Sequence, residues 1–379
     1  MRPLDYSRQA KMEVRLLKKL NSRKELGLAY TPGIAEVAKE IMKNEEAMFE
    51  FTFRKNSLAV ISEGSAVLGL GNIGHKAAYP IMEGKAMLFK KFGGINAVPI
   101  VIKTQDVREF INTVKNIADS FGAINLEDIS APRCFEIEKI LVRDLPIPVM
   151  HDDQHGTAIV VLAAIINALK ILPKHDLETK IVIFGAGAAG TGIIKLLNLY
   201  GFKNLLACDS KGIINQERQD LNEAKKELLK ITNPHNVAGG KEEALKSAEI
   251  FIGVSRPGQL TESGVNMMAK QPIILAMANP IPEIMPELAY KAGAGMVGTG
   301  RSDFINQVNN ALVFPGLFRG AMDARVKITD KLKLTAAQAL VEYHQKKLNR
   351  NNLMPSILDK KVHQFIAKRV CLAGKHSGG

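Results

Sequence analysis

The sequence predicts an α/β protein. An N-terminal α/β domain over residues 1–155 is followed, over 156–379, by a doubly wound parallel-sheet domain that ends in a helical tail. Three observations predict it. Five short apolar runs without polar alternation succeed one another: KIVIFGAG at 180–187, NLLACDS at 204–210, AEIFIGVS at 248–255, PIILAMANP at 272–280 and AGMVGTG at 294–300. Such runs fit parallel strands covered on both faces. Helical patterns lie between them, as right-handed crossover units require. The first run also passes straight into a glycine-rich turn and an apolar helix, the arrangement of a Rossmann-type nucleotide-binding fold.

The first half is more mixed. Strands are expected at 57–64, 96–104 and 124–130, and an amphipathic helix over 1–20, with Met12, Val14, Leu16, Leu17 and Leu20 near helical spacing. A long apolar helix, GTAIVVLAAIINALKIL, opens the second half. The tail from about Leu317 reads as helical, with Leu332, Ala336, Leu340 and Tyr343 on one stripe.

The 379 residues are 46% hydrophobic and 23% charged, an ordinary soluble composition that can bury a large core. No apolar run is long and charge-free enough to predict a bilayer span, and the N-terminus lacks the apolar core of a secretory signal. Three dispersed cysteines, Cys134, Cys208 and Cys371, show neither zinc spacing nor a disulfide framework, so a reducing cytoplasm is expected. The net charge of +13 is spread along the chain without an arginine-rich block. It predicts attraction of acidic or phosphorylated small molecules rather than specific nucleic-acid binding.

Two segments match G-x-G-x-x-G. Gly69 to Gly74 has no acid about 20 residues beyond and reads as a tight turn. The second, Gly185-Ala186-Gly187-Ala188-Ala189-Gly190, ends a strand and opens a helix, and Asp209 closes the next strand. That is the full dinucleotide context: glycines for the turn and close packing, and a helix N-terminus for the pyrophosphate. Asp209 can accept from ribose hydroxyls, which favours NAD, whereas Ser210 and Lys211 can meet the 2′-phosphate of NADP. Use of both cofactors within about tenfold is expected.

Two acidic pairs, Glu127-Asp128 and Asp152-Asp153, each follow an apolar segment. Adjacent acids at strand ends suit Mg²⁺ or Mn²⁺, although solvated loops would read the same from spacing alone. His151 and His155 flank the second pair without an HExxH pattern, so zinc is not expected.

AYTPGIAEVAKEI, GSAVLGLGNIG, MEGKAMLFKKFGGI, KTQDV, INLEDI, HDDQHGTAIV, GAGAAG, ANPIPEI and NNALVFPG occur in this order. Together, over about residues 10–320, the chain resembles the short bacterial malic enzymes, which oxidise malate with a nicotinamide cofactor and decarboxylate it to pyruvate at a divalent metal. The resemblance implies catalytic roles for Tyr30 and Lys85, with Asp152 supporting the lysine. It implies metal ligation by Glu127, Asp128 and Asp153, and substrate contacts from Asn279 and Asn310, with Asn279 also near the cofactor. Lys85 would be the general base, neutral through burial and a nearby metal, and Tyr30 beside it the proton donor.

The chain departs from that pattern at two positions. Larger eukaryotic members carry a carboxylate-gripping arginine where this chain has Ala66, and Arg133 stands where short members commonly have an acid. No acetyltransferase-like extension follows, hence the likeness to the short form. The resemblance, with an apolar N-terminal helix in need of cover, also implies a homodimer. A metal-independent amino-acid dehydrogenase of similar layout and a non-catalytic basic nucleotide-binding protein are the alternative functions.

Overall fold

The computed structural model describes residues 2–8, 10–67, 69–172 and 177–376; residues 173–176 and 377–379 of the predicted second domain lie outside these. Two parallel sheets organise the chain. The first comprises β1 (Ser57–Ser62), β2 (Asn96–Val101), β3 (Ala123–Leu126) and β4 (Val149–His151), in the order β2-β1-β3-β4. The second comprises β5 (Ile181–Phe184), β6 (Leu205–Asp209), β7 (Gly212–Ile213), β8 (Ile250–Gly253), β9 (Ile273–Ala276) and β10 (Met296–Thr299). Its order is β10-β9-β8-β5-β6-β7, with only β7 antiparallel. The doubly wound expectation holds, with each predicted strand trimmed by a few residues and the short β4 and β7 added.

Period-two alternation sorts the side chains. Leu58 and Val60 of β1 face one core layer, and Ala59 and Ile61 face another. In β5, Ile181 and Ile183 point one way and Val182 and Phe184 the other. Every one of these residues is fully buried, which is why the runs carry no polar alternation.

The helix Asp152–Ile171 runs from the end of β4 to the second sheet and packs on Ala188–Tyr200 and Asp330–His344. By length and composition it could cross a membrane, contrary to the expectation that no run would qualify. It is instead a core helix, with 67% of its most apolar window buried. The tail is helical as expected, at Phe314–Ala324, Asp330–His344 and Lys360–Lys375. Its first helix returns to the N-terminal unit, where Phe314 and Phe318 pack on Phe89 with ring centroids 4.7 and 5.4 Å away.

The N-terminal helix over 1–20 is not formed. Among the described residues only Pro3–Tyr6 is helical before Arg23, and Val14, Leu16 and Leu17 are 95%, 73% and 89% exposed. Met12 of the same stripe packs against the core, but none of the described residues covers Val14, Leu16 and Leu17, and a short unpacked helix is marginal in water. The helices Arg23–Ala29 and Ile34–Lys43 that follow bury none of their residues.

Phe89 joins the first sheet's cover to the returning tail. Phe89→Ala is expected to cost about 3–5 kcal/mol, read as a lowered denaturant midpoint. A loss under about 1 kcal/mol would mean the two units are not coupled through this contact.

Candidate active site

Parallel pairing of β3 with β4 places Leu126 beside His151, so the residues that follow each strand meet. These are Glu127-Asp128 and Asp152-Asp153, at the carboxyl ends of the strands, where open α/β sheets collect their ligands. Carboxylate oxygens of Glu127, Asp128 and Asp153 lie within 4.8 Å of one another. Asp128 sits in the left-handed region, at φ 54°, and its N–H donates to Asp153 Oδ2 over 2.8 Å. A non-glycine residue held there stores strain, a recurrent property of functional loops.

Lys85 reaches this cluster from the helix Gly74–Leu88. Its Nζ lies 2.6 Å from Asp152 Oδ2 and 2.8 Å from Glu127 Oε1, and 4.2 Å from the centre of the Phe314 ring. Asn310 Nδ2 donates to the same Asp152 oxygen over 2.7 Å. The structure thus gathers Lys85, Glu127, Asp128, Asp152, Asp153 and Asn310.

Burial drives the Glu127 carboxyl well above its usual range and lifts Asp128 to about 8, reinforced by the neighbouring carboxylates. Burial alone would lower the Lys85 amine, but Asp152, Glu127 and Asp153 outweigh it and hold its pKa above normal. Burial by itself therefore does not make Lys85 neutral; that expectation also requires the charge of a nearby metal. Four carboxylates face one ammonium, and a compact group of oxygen donors with excess negative charge fits a hard divalent cation.

Tyr30 is not in this group. It caps the exposed helix Arg23–Ala29, is 68% exposed, and has no described side-chain partner linking it to Lys85 or the carboxylates. Among the described residues the helix Arg23–Ala29 that carries it buries none of its side chains, so the arm holds Tyr30 out in solvent.

Sequence reasoning missed two organising acids. Glu138, in the helix Arg133–Asp144, accepts from His151 N–H at 2.7 Å, Gln154 Nε2 at 3.0 Å, and lies 2.9 Å from His155 Nε2. It anchors the HDDQH turn through the His151 backbone, the Gln154 amide and the His155 ring. Glu283, fully buried, accepts from Ser255 N–H at 2.8 Å and Ala278 N–H at 3.0 Å, tying the ends of β8 and β9 beside Asn279. Neither acid has a neighbouring acid in sequence, though Glu283 belongs to the ANPIPEI segment.

Arg133 also finds its place here. Its guanidinium donates to Glu63 Oε1 at 3.1 Å and Ser130 Oγ at 3.0 Å, while Ala66 N–H donates to the Asp128 carbonyl. The first glycine motif is the expected turn. Gly69 adopts φ +73°, and a Cβ there would stand 2.7 Å from Pro280, so the turn abuts the Asn279–Pro280 segment.

The second motif behaves as its spacing predicts. A Cβ on Gly190 would meet Gly185 O at 1.7 Å, so only glycine lets the helix start this close to β5. Gly187 is the N-cap of Ala188–Tyr200, and no side chain caps it, which leaves the first N–H groups for a phosphate. Asp209 departs from expectation: its carboxylate is already taken. Arg218 grips it in a two-pronged pair at 2.8 and 3.0 Å, Lys225 Nζ lies 2.5 Å away, and Lys211 N–H donates at 2.8 Å. These donors overcome burial and bring its pKa down to about 2. The Lys211 ammonium turns instead to Asp220, at 2.8 Å, and Ser210 is exposed.

Comparison with known proteins agrees with this geometry. The model of the malic enzyme N-terminal domain matches residues 9–141, and that of the malic enzyme NAD binding domain matches 154–373. The chain belongs to the malic enzyme family. It is 48% identical to the bifunctional malic/malolactic enzyme of Bacillus subtilis over 98% of this chain and 91% of the relative. It is 42% identical to the NADP-dependent malic enzyme of Halomonas elongata over 99% and 93%. The crystal structure of an NAD-dependent malic enzyme from Thermotoga maritima superposes with a TM-score of 0.95 at 46% identity, covering 98% of this chain and 99% of that one. As a member of the malic enzymes, the protein catalyses oxidative decarboxylation of malate with NAD(P)⁺, and the two non-malic alternatives fall away.

Glu138→Leu removes the acceptor for three groups of the HDDQH turn. It is expected to destabilise the protein by about 3 kcal/mol in urea unfolding. A loss below about 1 kcal/mol would show that the turn is held by other contacts.

Proposed function

We propose that malate is turned over at the Lys85 cluster, with Glu127, Asp128 and Asp153 holding Mg²⁺ or Mn²⁺. The supporting observation is one lysine set among four clustered carboxylates. Such a cation supplies Lewis-acid polarisation of the C2 oxygen. Its charge would also offset the carboxylates that keep Lys85 protonated, bringing the amine within reach of base chemistry.

In this reading Lys85 Nζ takes the C2 hydroxyl proton as hydride leaves C2. Asp152 and Asn310 orient it: one oxygen of Asp152 is shared by the Lys85 ammonium and the Asn310 amide, and the Phe314 ring closes the other side. Asn279, which follows β9 and abuts the Gly69 turn, is proposed to contact substrate and nicotinamide.

Loss of CO₂ leaves C3 needing a proton, which Tyr30 is proposed to supply. Its exposure means that the arm carrying it must be brought over a site. Docking of a second copy would do that and would cover Val14, Leu16, Leu17 and Leu28, which otherwise stand in water. A homodimer is proposed on this ground.

For the cofactor, Gly185 to Gly190 are proposed to receive the pyrophosphate. Arg218 and Lys225, rather than Ser210 and Lys211, are proposed to meet a 2′-phosphate, with Asp209 holding both cations in place. The same carboxylate, already neutralised, no longer repels NADP⁺, so use of both cofactors is retained. The three free cysteines support a cytoplasmic location; recovery of the protein outside the cytosol on fractionation would overturn it.

Four measurements test these assignments. Lys85→Ala should keep less than about a tenth of wild-type malate turnover while binding NADP⁺ normally, and EDTA should abolish wild-type turnover until Mn²⁺ is restored. Turnover that survives either treatment places the chemistry elsewhere. Arg218→Met should lower kcat/KM for NADP⁺ at least about tenfold relative to NAD⁺, the equivalent of roughly 1.4 kcal/mol; an unchanged ratio rejects the proposed phosphate site. Light scattering at micromolar concentration should return twice the 41.4 kDa chain mass, and a monomer would refute the dimer.

A further inference from the structure

At the opposite ends of β1, β3 and β4 from the carboxylates lies a cavity of about 320 Å³. Its walls are the turn that precedes β1, the segments entering β3 and β4, and the last turns of the helix Phe314–Ala324. Four cations line it, Arg54, Lys55, Arg319 and Arg325, against two acids, Glu46 and Asp323. The acids are engaged: Glu46 with Arg325 at 3.4 Å and Asp323 with Arg319 at 2.6 Å. That leaves an excess of two positive charges.

The arginines here are held, not free. Arg54 is only 8% exposed; its guanidinium lies 4.5 Å from the centre of the Phe49 ring and 3.3 Å from Asp119, a carboxylate outside the cavity. Arg319 donates to Asn56 Oδ1 at 2.6 Å. Yet the Nε–H groups of both Arg54 and Arg319 are buried without an acceptor. Both arginines nonetheless line the cavity together with Lys55 and Arg325, and oxygens carrying negative charge are the natural complement of such a lining. Lys55, with no described ion pair, stands exposed at the same cavity.

We propose that this cavity is a binding site for a small dianion bearing carboxylate or phosphate oxygens, with Arg54 and Arg319 as its principal donors. The basic lining calls for an anion even with Arg54 paired to Asp119, the two probe dianions present the oxygens it would meet, and the volume suits a small ligand. The site is separate from the malate cluster: it lies across the full length of the strands. The helix Phe314–Ala324 touches both, with Phe314 against Lys85 at one end and Arg319 in the cavity at the other.

The test is calorimetric titration of the full-length protein with inorganic phosphate and, separately, with succinate. Ionic strength is kept constant with sodium chloride, and NADP⁺ is saturating so that the nucleotide site is filled. Wild type should show a binding event for at least one probe that Arg319→Met weakens at least tenfold and Lys55→Met weakens severalfold. Which probe binds distinguishes phosphate from dicarboxylate chemistry. Lys55 is a surface side chain, so Lys55→Met tests the site even if Arg319→Met proves unfolded by circular dichroism. Absence of binding by both probes, or isotherms that neither substitution alters, overturns the proposal.

Discussion

The crowding of negative charge at the ends of β3 and β4 is the constraint on which the rest of this structure depends. Four carboxylates, three of them nearly or fully buried, meet one ammonium there. Left to itself such a group resists burial, because each ionised acid loses hydration and repels its neighbours. The fold answers with position. Parallel register brings the two acidic pairs together, Lys85 comes in from a helix on the neighbouring face, and Glu138 secures the turn from behind. A divalent cation suits what remains.

The same economy appears at the nucleotide end. Asp209 would be an isolated carboxylate at a strand end, but Arg218 and Lys225 convert it into the anchor of a small basic cluster. A group that would select for ribose hydroxyls thereby becomes a support for cations. Between the two ends runs the helix Asp152–Ile171, which starts with two acids of the cluster and finishes against the second sheet. Its first turn is polar and its body, apart from Asn167 and Lys170, is apolar, because it serves chemistry at one end and packing along the rest.

Much of this was legible in the sequence. The second sheet could be read almost strand by strand, since buried parallel strands are apolar throughout and need no partner to be recognised. The glycine spacing of 185–190 announced a close strand–helix approach, and the Gly190 contact supplies the physical reason. Glu127, Asp128, Asp152 and Asp153 stood out as paired acids after apolar runs. Lys85 was identified only through resemblance, because a single lysine in a helix has no signature of its own. Glu138, Arg218 and Lys225 gave no local signal: each acts on a partner brought to it by the fold.

Periodicity misled at the N-terminus, where apolar residues at helical spacing do not make a helix without a surface to bury them. It also understated the helix Asp152–Ile171, whose apolar length was broken up by its polar first turn. What the sequence by itself determined is local and covalent: which segments are apolar enough to be strands, where glycine permits a turn, and which acids are neighbours along the chain. The tertiary structure alone decided which charges face one another, that Asp209 is occupied, that Tyr30 stands apart and that Arg54 and Arg319 share a cavity. The reason is that electrostatic partnership depends on distance and burial, and strand register and helix packing place residues tens to hundreds of positions apart within a few ångströms.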